Sequence, residues 1–438
     1  MCDEQDLFGR QLPLTNGPAN SRVRPAIVTI GRRRRCQRCQ QWLLPTDCLP
    51  NQAWYCRQCL QLGRLTSHHK LYTIPEPNRF APVAAPILTW LGKLSPMQGT
   101  AATGILDLVR QQRHQLLWAV TGAGKTEIVY PALAWALAQH WRVAWVSPRV
   151  DVCLELAPRL QQAFCHVPQA LLHGKQTRPY HYRQLTLCTT HQLLRFQSAF
   201  DWIIVDEVDA FPLATSPLLQ TAIATAQKPT GSHLYLTATP GEQLQRQVRQ
   251  KKLAVTYLPL RYHGVLLPQI EVRLIWRWRE RLTKGRLAPR LIRQLQDYRQ
   301  RGQRFLLFVP HVLDLKPVAQ ALQRAGVTGG ITVHAADGER AAKVQAMRDR
   351  TIPFLITTTI LERGVTFPDI AVVVLGGDDA VFSTAALVQI AGRVGRHQDF
   401  PTGEVTVYCH SQSRRVRLAQ RMIAQLNRQG KRLGGRRQ

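Results

Sequence analysis

A chain that contains Leu-Leu-Trp-Ala-Val-Thr-Gly-Ala-Gly-Lys-Thr at residues 116–126 has few folds open to it. The apolar run Leu116–Val120 is long enough for one buried strand and Glu127–Gln139 favours a helix, so Ala119–Thr126 is a loop held between the two. Gly122 and Gly124 let the backbone approach a polyphosphate, and the amides of Thr121, Gly122, Ala123 and Gly124 aim at its oxygens beside a helix N-terminus. Lys125 neutralises the β- and γ-phosphates, and Thr126 offers a hydroxyl to Mg²⁺. Ala119 stands where the first glycine of the usual G-x-x-x-x-G-K-[ST] pattern belongs. The simpler alternative is a glycine-rich turn; the strand before it and the helix after it favour a nucleotide.

Strand-like and helix-like segments alternate around this loop, which implies parallel sheets. The first set of strands is Leu116–Val120, Arg142–Val146, Leu185–Cys188, Trp202–Val205 and Leu234–Thr237. After a break at Leu260–Lys284 a second set follows, Phe305–Val309, Ile331–His334, Phe354–Thr357, Ala371–Leu375 and Val405–Tyr408. Two α/β domains in series are expected, in keeping with 438 residues of which 45% are hydrophobic. Ser411–Gln438 carries nine Arg and Lys and no acid, with apolar residues at Leu418, Met422 and Leu426, and reads as a basic helix with a loose end.

Ahead of the domains, Cys36-Gln-Arg-Cys39 and Cys56-Arg-Gln-Cys59 are separated by sixteen residues. Each pair forms a knuckle with two thiolates on one side, and together they suit a closed tetrahedral zinc site, with Cys48 a bystander. No run of 18 apolar residues occurs and the first residues are acidic, so a cytosolic setting is expected, where ten cysteines serve as thiols or metal ligands. A formal charge of +31 points to a polyanion, nucleic acid before anionic membrane. Arg32–Arg35, Arg38, Arg57 and Arg64 accompany Trp42, Trp54 and Tyr55, a composition that grips phosphates and stacks bases. The first twenty residues read as a loose arm, and prolines 75, 77, 82, 86 and 96 read as a linker or an extended approach to the next domain, with the cysteine module ending there. Loss of metal is therefore expected to unfold the module and spare the domains behind it.

Three further motifs fit the loop. Asp206-Glu-Val-Asp209 follows the buried run Trp202–Val205, at the sheet edge where ligands collect. There Asp206 can hold Mg²⁺ with Thr126, and Glu207 can orient or deprotonate a water for attack on the γ-phosphate. Thr237-Ala-Thr-Pro240 ends the next strand, with hydroxyls able to link the carboxylates to the cleft. In the second domain Gln389-Ile-Ala-Gly-Arg393-Val-Gly-Arg396 sets two arginines three apart, a spacing that shares one helix face and suits an arginine finger. Thr357–Thr366 joins a strand, hydroxyls and Gly364, suited to a phosphate or backbone contact.

Ala119–Thr126, Asp206–Asp209, Thr237–Thr239, Thr358–Thr366 and Gln389–Arg396 resemble the ordered motifs of superfamily-two helicases and translocases over about Gln98–Arg396. The resemblance implies an α/β fold of two tandem RecA-like domains behind a small zinc module, with ATP, Mg²⁺ and Zn²⁺ as cofactors. It implies that Gln98 reads adenine, that Ser147–Arg149 and Thr189–His191 hold nucleic-acid backbone, and that Gln389, Arg393 and Arg396 complete the nucleotide site. Within the superfamily, the cysteine module and Asp206-Glu-Val-Asp-Ala-Phe-Pro212 resemble the late competence (ComFA) family, cytosolic ATPases of bacterial DNA uptake.

That resemblance implies single-stranded DNA, other competence proteins and the membrane DNA channel as partners, at the inner face of the cell membrane. The PriA-type restart helicases place their cysteines inside the second lobe and have histidine where Asp209 stands. A duplex-unwinding repair or restart helicase remains an alternative, as does a basic zinc protein whose nucleotide site is a regulatory switch. The expected boundaries are an arm at 1–31, the zinc module at 32–75, lobes at 76–260 and 286–438, and a linker at 261–285.

Overall fold

A computed structural model describes residues 3–174, 179–363 and 367–434. The chain divides into two compact units, Met1–Trp118 with Lys125–Tyr257, and Ala119–Gly124 with Leu258–Gln438.

In the first unit a seven-stranded sheet runs Ala254–Leu258, Gln115–Ala119, Gln227–Thr237, Phe200–Asp206, Val143–Ser147, Leu185–Thr189, Gln169–Leu172. Its pairings from Gln115–Ala119 to Gln169–Leu172 are parallel. The central strand carries Trp202, Ile203, Ile204 and Val205, all fully buried, as the continuous apolar run requires of a strand covered on both faces. Gln169–Leu172 and Ala254–Leu258 are additions to the strands expected from sequence. Both lie at sheet edges and are only partly buried, so neither presents an unbroken apolar run.

The N-terminal residues are not a loose arm. Leu12–Leu14 pairs with Lys70–Thr73, which also pairs with Arg22–Pro25, in an antiparallel sheet. Leu7 and Phe8 are buried with Tyr72, Ile74 and Tyr182, and the buried Gln11 donates from Nε2 to the Leu194 carbonyl at 3.0 Å. Alternation is too short over three residues to be read as a strand in isolation. Of the two readings of the proline-rich stretch, the extended approach to the first domain is the one that its contacts fit. Glu76 forms an ion pair with Arg142 in which both side chains are fully buried, and Arg142 also donates to Tyr180 Oη at 2.5 Å and to the Phe8 carbonyl at 2.8 Å. Phe80 stacks on Tyr182, with ring centroids 4.9 Å apart.

In the second unit a six-stranded parallel sheet runs Glu271–Leu274, Val405–Cys409, Ile370–Leu375, Arg304–Phe308, Phe354–Thr357, Ile331–Val333. Residues 261–285, expected as a linker, include the edge strand Glu271–Leu274 and the helix Trp278–Thr283, and Ile275, Trp278 and Leu282 join the core of this unit. The basic C-terminal helix is Arg414–Arg432. Its buried stripe is Val416, Ala419, Ile423, Leu426 and Gly430, so Leu418 faces outward, one position off the expected seam. Asn427 fixes that register by accepting from the Leu267 amide and donating to the Leu267 carbonyl, both at 2.9 Å.

Candidate active site and metal centre

The strand Gln115–Ala119 and the helix Lys125–Ala138 are joined by a tight loop in which Gly122 has φ +81° and Gly124 has φ +74°. Side chains rarely adopt those angles, so glycine is required at both positions. Ala119 is the last residue of the strand and fully buried, its methyl taken up in the core where the usual pattern has glycine. Lys125 and Thr126 open the helix, so Thr126 and the first amides stand at its positive end.

Register places the other motifs at the same sheet edge. Thr237 pairs with Trp118, and Asp206 with Leu236. The strand ends leading to the loop, to Thr237-Ala-Thr239 and to Asp206–Asp209 therefore sit on adjacent strands, at the crevice where parallel sheets bind ligands. Asp206 accepts from the Glu207 amide at 2.9 Å, and Glu207 holds φ +55°. Thr237 and Thr239 each donate a hydroxyl to the Asp209 carboxylate at 2.5 Å. Burial pushes the Asp209 carboxyl up, opposed by the two hydroxyls and by the charge of Lys125. Both hydroxyls are therefore joined to the carboxylate cluster through Asp209, which is not among the candidate site residues named from the sequence. The signal was present in an aspartate two residues after Glu207 and a Thr-x-Thr on the neighbouring strand.

Gln98 sits in the first turn of the helix Pro96–Arg110, where its Oε1 accepts from the Ser95 amide at 2.8 Å and Ser95 Oγ accepts from its amide at 3.3 Å. This capping box gives Gln98 a structural duty. Ser147 ends the strand Val143–Ser147 and Arg149 precedes the helix Val150–Ala163, while Thr189 and Thr190 are buried beside His191. In the second unit Gln389 is buried in the helix Thr384–Ala391.

Arg393 and Arg396 do not share a helix face. The helix ends at Ala391 and Gly395 has φ +67°, which breaks the α-helical spacing on which that reading relied. Arg393 is buried and donates from Nε to the Glu362 carbonyl at 2.9 Å, while half-buried Arg396 donates from Nε to the Gly392 carbonyl at 2.9 Å. Thr357 Oγ1 donates to the Val333 carbonyl at 3.0 Å, and Thr358 stands at the N-cap position of the turn Thr359–Glu362 without a side-chain capping bond. Gly364 and Thr366 lie outside the described residues.

Cys36 ends the second strand of the hairpin Ile27–Ile30 and Arg33–Cys36, and Cys59 lies in the 3₁₀ helix Arg57–Leu62. The four Sγ atoms of Cys36, Cys39, Cys56 and Cys59 lie within 4.8 Å of one another, with Cys36 and Cys59 3.9 Å apart and Cys39 and Cys56 3.4 Å apart. Tetrahedral zinc with bonds of about 2.3 Å sets its sulfurs about 3.8 Å apart, so the cluster fits zinc. Arg38, fully buried, donates from Nε to Cys59 Sγ at 3.3 Å and from Nη2 to the Cys59 carbonyl at 3.2 Å, a charge that would offset part of that of four thiolates around a zinc ion. Cys48 is exposed and outside the cluster. The arginine run is a hairpin strand, with Arg34 over the Trp54 ring at 4.1 Å and Arg35 over the Trp42 ring at 5.6 Å, so these aromatic faces already carry guanidinium groups.

Residues 18–73 match the competence protein ComFA N-terminal domain, 91–242 the type III restriction enzyme res subunit, and 287–398 the helicase conserved C-terminal domain. The chain is 38% identical to competence protein ComFA of Bacillus subtilis (strain 168) over 91% of its own length and 87% of the relative's. It is 39% identical to competence protein ComFA of Streptococcus pneumoniae (strain ATCC BAA-255 / R6) over 90% of each chain. The chain belongs to the ComFA family. As a ComFA-family protein it is a superfamily-two ATP-hydrolysing helicase or translocase connected with competence, and its helicase domains imply ATP and Mg²⁺.

Among solved structures it resembles S. cerevisiae Dbp5 bound to RNA and ADP BeF3 (TM-score 0.55, 14% identity, 76% of this chain and 91% of that one). It also resembles Mycobacterium smegmatis helicase Lhr bound to ssDNA and AMP-PNP (TM-score 0.55, 14% identity, 78% of this chain and 50% of that one). At such identity these likenesses carry the RecA-like fold. No helix among the described residues is long and apolar enough to cross a membrane.

Proposed function

We propose that this ComFA-family protein is a translocase on single-stranded DNA that uses ATP to draw transforming DNA into the cytosol, at the inner face of the membrane beside the DNA channel and other competence proteins. The supporting observation is that the strands leading to the phosphate loop, to Asp206–Asp209 and to Thr237–Thr239 are neighbours in one parallel sheet, with Asp209 bonded to both hydroxyls. The charge of +31 favours a polynucleotide track, as do the two helicases of like fold, one bound to RNA and the other to ssDNA.

In this reading the amides of Thr121, Gly122, Ala123 and Gly124 cradle the phosphates, Lys125 neutralises them, and Thr126 with Asp206 would hold Mg²⁺. Glu207 takes a proton from the attacking water. Asp209 couples Thr237 and Thr239 to that carboxylate group. Gln98 and Gln389 contact the nucleotide, and Arg393 and Arg396 offset charge on the γ-phosphate. Bound ATP supplies the phosphoryl group whose transfer to water drives movement. Cys36, Cys39, Cys56 and Cys59 would hold a structural zinc.

ATP hydrolysis measured against single-stranded DNA, duplex DNA and RNA tests the proposal. Single-stranded DNA is expected to raise turnover far above the other two. Equal stimulation by RNA, or efficient strand displacement on a forked duplex, would replace it with an RNA-directed or restart-type helicase, and no stimulation at all would leave a nucleotide switch.

A further inference from the structure

Arg261 follows the strand Ala254–Leu258 and is 2% exposed. Its Nη1 donates to the Gly395 carbonyl at 2.6 Å, a carbonyl that also meets His263 Nε2 at 3.0 Å. Its Nε and Nη2 are buried with no hydrogen-bond partner among the described residues. The neighbouring charge acting on it is another cation, Arg396, and burial together with that charge brings the guanidinium down to about 9. A buried cation with unmet donors beside a like charge is costly, and such a group persists where an anion arrives to meet it.

The surroundings say which anion. Arg261 lies in the same compact unit as Ala119–Gly124. The Tyr262 amide donates to the Gly122 carbonyl at 3.0 Å, and a Cβ placed on Gly122 would lie 3.6 Å from Arg261 Cγ and 3.8 Å from its Nε. The side chain therefore runs along a glycine of the phosphate loop, over the face that a Cβ would occupy. Thr121 Oγ1, in the same loop, is a second buried polar atom without a partner among the described residues. Two unmet polar groups thus accompany a backbone whose positive φ angles form an anion cradle.

We infer that Arg261 is a direct ligand of the nucleotide's phosphate chain, using Nε and Nη2 while Nη1 stays on the Gly395 carbonyl. This rests on the ATP-site reading and adds to it a residue outside the five motifs that carry the superfamily resemblance. The two donors and the planar guanidinium suit a bidentate grip on phosphate oxygens, which lysine cannot reproduce. Because the ligand also relieves an unfavourable buried charge, the residue makes stability depend on nucleotide more strongly than contact alone would.

The test is equilibrium ATP binding to the full chain without DNA, with thermal denaturation measured with and without ATP and Mg²⁺. Arg261→Gln is expected to weaken ATP binding about 10- to 100-fold. The midpoint without nucleotide should stay level or rise, and the shift produced by ATP should shrink. Arg261→Lys, which keeps charge but loses the fork, should bind with intermediate affinity. Unchanged ATP affinity in Arg261→Gln, while Lys125→Ala still loses it, overturns the inference and leaves the ATP site standing; unchanged affinity in both variants removes the site itself. A large fall in the nucleotide-free midpoint, with ATP affinity retained in Arg261→Lys, makes the residue a structural clasp and also overturns it. Weakened DNA binding with a shallower salt slope and normal ATP affinity assigns the anion to the DNA backbone instead.

Discussion

Glu207 holds a left-handed backbone angle, φ +55°, that costs a non-glycine residue strain, and it does so one residue after the strand that ends in Asp206. Such strain concentrates where a side chain must be aimed. If Glu207 takes the proton of the attacking water, Glu207→Gln should bind ATP within a few-fold of the parent and cleave it about 10²- to 10⁴-fold more slowly. Equilibrium binding and single-turnover hydrolysis separate the two, and loss of binding would make Glu207 a structural residue. For Arg396, a finger role predicts that Arg396→Ala loses DNA-stimulated turnover by about 10³-fold even at saturating DNA. Full recovery at high DNA would assign it to DNA phosphate instead. The loop residues were legible because each demands one residue type at one spacing. The bonds from Thr237 and Thr239 to Asp209 depend on two strands lying side by side, which no local pattern states.

At the scale of elements, central strands announced themselves as apolar runs, whereas Gln169–Leu172, Ala254–Leu258 and Glu271–Leu274 did not, because an edge strand keeps polar residues. Prolines at 75–96 leave a linker and an extended approach to the domain equally open, and what separates them is that Glu76 supplies the charge Arg142 needs inside the first unit, a long-range pairing invisible to composition. Replacing Glu76 by Ala leaves a buried cation and should cost about 3–5 kcal/mol of stability, measured by chemical denaturation; a loss under about 1 kcal/mol would return this segment to linker status. The stacked rings of His114 and His233, 3.9 Å apart, set a pH limit on the same unit. Burial, and then His114, hold His233 down to about 3. Unfolded imidazole titrates near 6.5, so this contribution is complete above about pH 6.5 and is lost as pH falls through that value toward the folded one, by up to about 1.4 kcal/mol per pH unit. The thermal midpoint should fall more steeply between pH 7 and 5 in the parent than in His233→Gln, and parallel slopes would refute the assignment.

At the scale of the whole molecule, the cysteine centre is not an appendage. Cys36, Cys39, Cys56 and Cys59, with Leu62, Leu65 and Leu71, belong to one buried cluster that continues through Leu193, Phe196, Phe200 and Ile203 to Val205 and Val208. The last two flank Asp206 and Glu207. Metal loss should therefore reach farther than the cysteine spacing suggests. In Cys36→Ser with Cys39→Ser, hydrogen exchange should rise in the module and also across Leu193–Asp206. Exchange in Arg304–Phe308 and Ile370–Leu375 should stay at the parent level, because those strands belong to the separate core of the second unit. Hydrolysis should fall even though no ATP-site residue has changed. Exchange confined to residues near 36–59 with full turnover would restore the picture of an independent zinc module, and a parent protein that contains no zinc by metal analysis would end the argument at its first step.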